Sequence, residues 1–210
     1  AAVFRVAFGL LALATGLWTW LNVDRWFSEP GLVSYALTSS KYSLFQYAPD
    51  APWMGPAHAG ALLLGAGMLI VGAWPRLGAL LVYAAHPSLQ HRTPQILNSG
   101  DRLFAIVALL AIAMPLAQRF SVHAWWRARR GRPPQRASMW GLRLMQLQIA
   151  YVYANTGMSK VLQGRWQEGR ALRDVLASPV FAEWPVWIDF WPVIHAMTWG
   201  TLGFELSFPG

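Results

Sequence analysis

The sequence has 210 residues, of which 55% are apolar and only 12% are charged, with 17 Lys and Arg against nine Asp and Glu. An ordinary soluble domain carries about a quarter charged residues, so this composition excludes intrinsic disorder and argues against a soluble globule. The absence of cysteine excludes disulfides, thiolate metal sites and thiol nucleophiles. Thirteen Trp, a residue of membrane–water interfaces, point with the apolar composition to an integral membrane protein.

Because about 20 apolar residues cross a bilayer as a helix, six segments are predicted as spans. In chain order they are Val3–Leu21, Ala57–Trp74, Leu77–Gln90, Leu103–Gln118, Gly141–Leu162 and Pro185–Leu206. Pro87 is expected to break the third near its far end, and Pro115 sits in the last turn of the fourth. The fold class is therefore all-α: a polytopic helix bundle with short interfacial helices, forming one domain over residues 1–210. The outer loop Asn22–Pro56 is expected to lie on the membrane as short helices. Arg165–Ser178, with Trp166, Leu172 and Val175 set against arginines, is expected to be one amphipathic helix lying flat at the interface.

Charge orients this scheme. Arg119–Arg143 holds seven Arg and no acid, while the acids gather on the opposite side. The basic side is read as cytoplasmic, with both termini there and a bacterial cytoplasmic membrane as the expected host. The basic loop is a topology determinant that meets anionic lipid; nucleic acid is not an expected partner. Trp18, Trp20, Trp53, Trp74, Trp140, Trp184 and Trp187 fall at span ends as an aromatic belt. The chain opens Ala1-Ala2 without Met or a signal-peptide pattern, and stops just after the sixth span. It is read as part of a longer polypeptide, truncated at both ends.

Ionisable groups within spans need a reason. On the fifth span Gln148, Tyr151, Asn155 and Ser159 share one face, and Tyr153, Thr156 and Lys160 the next. This polar strip is expected to face the bundle or a wet cavity. It serves either interhelical hydrogen bonding or a ligand site in which Lys160 acts as a base. Asn98-Ser99-Gly100-Asp101 reads as a helix cap, and the topology puts it on the same membrane side as Lys160. Lys160 is expected to point toward that turn. The sites taken forward are Lys160 as catalytic base, with Asn98, Asp101, Tyr153, Asn155 and Trp166 as ligand-binding residues. His58, His86, His91 and His195 show no metal-ligand spacing, so no metal is expected.

Four segments together resemble the HTTM family, the transmembrane domain shared with vitamin K-dependent gamma-carboxylase. They are Arg5–Leu10, Arg92–Asp101 (RTPQILNSGD), Tyr153–Leu172 (YANTGMSKVLQGRWQEGRAL) and Leu202–Pro209. The resemblance implies a quinone or hydroquinone cofactor and assigns Lys160 to the lysine that deprotonates the hydroquinone. The carboxylase also uses a histidine after an Asn, where this chain has Ser99 after Asn98. That departure, with no room for a lumenal propeptide-binding domain, argues against peptide carboxylation. Two functions follow as expectations: a quinone- or lipid-handling protein with its site at the outer face, or a non-catalytic subunit of a larger membrane complex.

Overall fold

The computed structural model describes residues 1–27, 43–47, 51–118, 120–132, 139–178 and 190–208. Among them are ten α-helices and no strand: α1 (Ala2–Leu21), α2 (Val23–Trp26), α3 (Met54–Val71), α4 (Pro75–Arg92), α5 (Ser99–Ala113), α6 (Val122–Arg129), α7 (Trp140–Val161), α8 (Gly164–Gln167), α9 (Ala171–Leu176) and α10 (Trp191–Ser207). The chain divides into two compact units, Ala1–Arg143 and Leu144–Gly210.

In the first unit α1 packs on α3, α3 on α4 and α4 on α5, each antiparallel to the last. Local chemistry sets the ends. Gly72, with φ of 74°, closes α3 in the left-handed conformation and donates its N–H to Met68 O at 2.9 Å. Pro75 then starts α4 at a position that needs no N–H. Asn98 and Asp101 form a reciprocal capping box at the start of α5. That helix stops at Ala113, because Met114 precedes Pro115 and is held extended. Ser121 caps α6 by accepting from Ala124 N at 3.0 Å. Small residues bring α3 and α4 together: a Cβ on Gly65 would lie 2.7 Å from Gly78 O, and one on Gly78 would lie 2.8 Å from Gly65 O.

The first unit is locked at one end by Arg5, which is fully buried. Its Nη1 donates to Leu69 O at 2.6 Å and Ile70 O at 3.1 Å, and its Nη2 donates to Phe120 O. A cation thus sits on the last carbonyls of α3, where the helix dipole is negative. The sequence reading quoted Arg5 as the start of the first family segment and gave it no packing role. Its helical spacing to the buried Phe8, Ala12, Gly16 and Thr19 is the signal that places it on the packed face.

In the second unit α10 runs antiparallel to α7. Trp199 Nε1 donates to Gln167 O at 3.3 Å just beyond α7, Glu205 faces Lys160, and the Phe208 ring lies 4.3 Å from that of Tyr153. Gly157 admits the close approach: its Cβ would be 3.1 Å from Leu206 Cδ2.

The described residues are all-helical, as expected; only α1 and α3 among the described helices are long and apolar enough to cross a membrane, so these helices do not by themselves make up the six expected spans. The reasons differ by helix. α4 has 18 residues and continues through Pro87, but ends in His86, Ser88, Gln90, His91 and Arg92. α5 has 15 residues, about 22 Å of rise against a core of about 30 Å. α7 has 22 residues but carries the polar strip. α10 has 17 residues, and the earlier part of the predicted sixth span, with Trp187 and Asp189, lies outside the described residues, as does Trp184 before it. The single amphipathic helix expected over Arg165–Ser178 is two short ones, α8 and α9, separated by Gly169 at φ 72°. The basic segment read as a loop contains α6, whose Trp125 and Trp126 are covered by Arg129 and Arg130 at 4.0 and 4.2 Å. Of Asn22–Pro56, α2 and a 3-10 turn at Leu44–Tyr47 are described.

Apolar side chains are also exposed along α1 and α3: Leu10, Leu11, Leu17, Leu21, Leu64 and Val71. Trp18, Trp20, Trp53, Trp74 and Trp140 are exposed as well. An outward-facing apolar surface of this extent requires a cover other than water.

Candidate functional site

Lys160 occupies the last turn of α7, where a cation complements the helix dipole. Its Nζ forms an ion pair with Glu205 of α10 and lies 4.5 Å from the centroid of the Trp166 ring. The Lys160 and Glu205 side chains are 23% and 12% exposed, so the pair is largely withdrawn from water. Glu205 Oε2 is buried and has no hydrogen-bond partner. One carboxylate oxygen is therefore engaged and the other is left as an open acceptor. Aromatic rings continue the site along the helices: Tyr153 meets Phe204 edge-on at 5.7 Å and Phe208 at 4.3 Å. Toward α9 a second stack runs Trp191–His195–Trp199, with centroid steps of 5.4 and 5.2 Å.

The polar strip of α7 divides. Tyr153, Thr156 and Lys160 are half-buried toward α10, whereas Tyr151, Asn155 and Ser159 are exposed. The hydroxyls bond within their own helix: Thr156 Oγ1 donates to Val152 O and Ser159 Oγ to Asn155 O, both at 2.8 Å. Such bonds remove much of the cost of an uncovered polar face. Asn155 is thus not in the cluster around Lys160. Beside it, Arg165 pairs with Asp174, which raises the guanidinium pKa above its ordinary value. Arg165 stays charged throughout the accessible pH range, so this link is no pH switch.

Asn98 and Asp101 belong to the first unit. Asn98 Oδ1 accepts from Gly100 N at 2.7 Å and Asp101 N at 3.2 Å, and Asp101 Oδ2 accepts from Asn98 N at 3.0 Å. Asp101 Oδ1 lies 3.5 Å from Nε2 of His86, which is 2% exposed. The carboxylate facing Lys160 within its own unit is Glu205. The sequence reading quoted Glu205 inside the fourth segment but gave it no role, and treated His86 as a lone histidine. The available signals were the odd acid in an apolar run for Glu205, and for His86 its place in the antiparallel partner of the helix that Asp101 caps.

The HTTM domain family model matches residues 1–209. The chain belongs to the HTTM family. No curated protein and no solved structure matches it. HTTM membership and the two long apolar helices fit a membrane protein. Within this HTTM domain the Lys160 cluster lies in the third of the four segments, and Glu205 in the fourth.

Proposed function

We propose that this HTTM domain is a polytopic membrane protein whose site around Lys160 handles a quinone- or lipid-like substrate. The observation that carries the reading is the Lys160–Glu205 pair, withdrawn from water and bordered by Trp166 and Tyr153. These residues fit a hydroquinone: an amine and a carboxylate for the hydroxyl proton, and aromatic faces for the ring. When bound, a hydroquinone supplies an ionisable O–H and the reducing electrons. Glu205, with its second oxygen open, takes the ammonium proton of Lys160, and the freed amine accepts a proton from the substrate. The resemblance to the gamma-carboxylase membrane domain supports this role. Without a histidine after Asn98, it does not extend to peptide carboxylation.

The test is oxygen uptake by a short-chain naphthohydroquinone with the full chain in nanodiscs, because deprotonation speeds oxidation of the hydroquinone. Lys160→Arg keeps the charge but cannot deprotonate at accessible pH. It is expected to reduce the accelerated uptake about 10²–10⁴-fold with thermal stability unchanged. Equal uptake by Lys160→Arg favours the second reading: the pair is a clamp between α7 and α10 in a non-catalytic subunit. The close packing of Gly157 against Leu206 and the exposed Tyr151–Asn155–Ser159 face support that reading.

The proposed topology has six spans in a bacterial cytoplasmic membrane, with both termini cytoplasmic and the bilayer as constant partner. In the first unit it puts Arg5, the 72–76 turn and α6 on the cytoplasmic side, and the Asn98 turn outside. It is supported by the basic bias of the Arg5 end. With no native Cys, single-cysteine labelling is clean. An impermeant maleimide added to intact cells should leave Arg130→Cys unlabelled and label Glu168→Cys. Labelling of Arg130→Cys from outside overturns the orientation.

A further inference from the structure

A cavity of about 420 Å³ opens in the first unit at the end opposite Arg5, between the last turns of α1 and α4 and the cap of α5. Its polar lining is rich in acceptors. Asp101 contributes its carboxylate, and Gln90 an Oε1 that is buried with no hydrogen-bond partner. The hydroxyl protons of Thr15 and Thr19 are committed to Leu11 O and Thr15 O at 3.0 and 2.8 Å, so these oxygens face the cavity only as acceptors. His86 lines the cavity too, and its Nε2 forms no hydrogen bond but lies 3.5 Å from Asp101 Oδ1. Trp18 and Trp26 provide the aromatic walls. Arg25 lies 5.9 Å from the Trp26 ring without lining the cavity, and no Lys or Arg lines it among the described residues.

The lining is negative with a neutral His86 and neutral with a charged one. In neither state are the described lining residues positive, so they offer phosphate and carboxylate groups no counter-ion. A carboxylate, an unused amide oxygen and two indole faces instead suit an organic ammonium, through charge-assisted hydrogen bonds and cation–π contact. Asn98 Oδ1 is taken by the cap, which leaves the Asn98 NH2 to donate to an oxygen beside that ammonium. The volume is that of a small-molecule site.

We infer that this cavity binds an amino-alcohol head group, its ammonium held by Asp101 and Gln90 against Trp18 and Trp26. The chemistry is shared by the head of an ethanolamine phospholipid and by a free amino alcohol. The inference does not rest on the role proposed for Lys160, because its readout is binding at the first unit.

The experiment uses the full purified chain in a nonionic detergent. Native mass spectrometry measures retention of phosphatidylethanolamine against phosphatidylglycerol of the same acyl chains. Calorimetry with free ethanolamine forms the second arm. Wild type is expected to prefer phosphatidylethanolamine about fivefold. Asp101→Asn, which keeps an acceptor for the cap, and Gln90→Leu are each expected to abolish that preference. Binding of ethanolamine without lipid preference, lost in the same variants, supports the site with a free amine as its occupant. Equal retention of the two lipids together with no ethanolamine binding above that of Asp101→Asn overturns the inference. If Asp101→Asn does not fold, Gln90→Leu decides by the same criteria.

Discussion

Replacing Arg5 with Met is expected to remove about 3–5 kcal/mol of stability, because three carbonyls lose their donor at about 1–3 kcal/mol for each one left unsatisfied. The substitution leaves the carbonyls of Leu69, Ile70 and Phe120 without their guanidinium donor, the first in a buried site and the other two in part-buried ones. Phe120 has φ of 51°, a left-handed backbone that a bulky residue adopts only when its surroundings hold it there. The guanidinium holding its carbonyl is part of that restraint. Arg5→Lys is expected to fall between wild type and Met, because a single ammonium does not reproduce the planar fork. Thermal unfolding in detergent is the measurement. A chain of this size loses about 2–4 °C per kcal/mol, so Arg5→Met should unfold about 6–20 °C lower. An unchanged midpoint would show that Arg5 is a solvated topology charge after all.

Gly72→Ala is expected to be nearly as damaging, through the same lock. The residue sits at φ 74°, which costs an L side chain about 1–2 kcal/mol. A Cβ there would also collide with Arg5 Nη1 and Ser121 Cβ. The guanidinium would have to leave the α3 carbonyls, so the two sites are coupled rather than independent. In an Arg5→Ala background the Gly72→Ala change should therefore cost clearly less than in wild type. Equal costs in the two backgrounds would separate Gly72 from Arg5.

This lock shows what the sequence could and could not convey. The positions of α1, α3 and α7 were legible within three residues, because long apolar or periodic runs ended by Gly or Trp leave few choices. The cap of α5 was legible too, since Asn98 and Asp101 are spaced as a capping box. Its start at Ser99, ahead of the apolar run from Leu103, follows from that box. Whether a helix is apolar enough to cross a bilayer was harder to read. Interior polar side chains on α4 and α7 look like breaks in a span until their partners are known. Partners across the fold were least legible. Glu205 is 45 residues from Lys160; as an odd acid in an apolar run it asks for a partner, but nothing local says that the partner is Lys160. Lys160 was expected to point toward the Asn98 turn, which belongs to the other unit; within its own unit it pairs with Glu205, a residue of the predicted sixth span that the sequence left without a role.

What occupies the space around Lys160 decides between a substrate site and a helix clamp. The most direct measurement is an experimental map of the full chain in a lipid nanodisc with a short-chain naphthohydroquinone added. The account predicts a flat ring within hydrogen-bonding distance of Lys160 Nζ or Glu205 Oε2, bordered by Trp166 and Tyr153. Side chains alone around an intact Lys160–Glu205 pair, with Lys160 reaching no ligand, would contradict it.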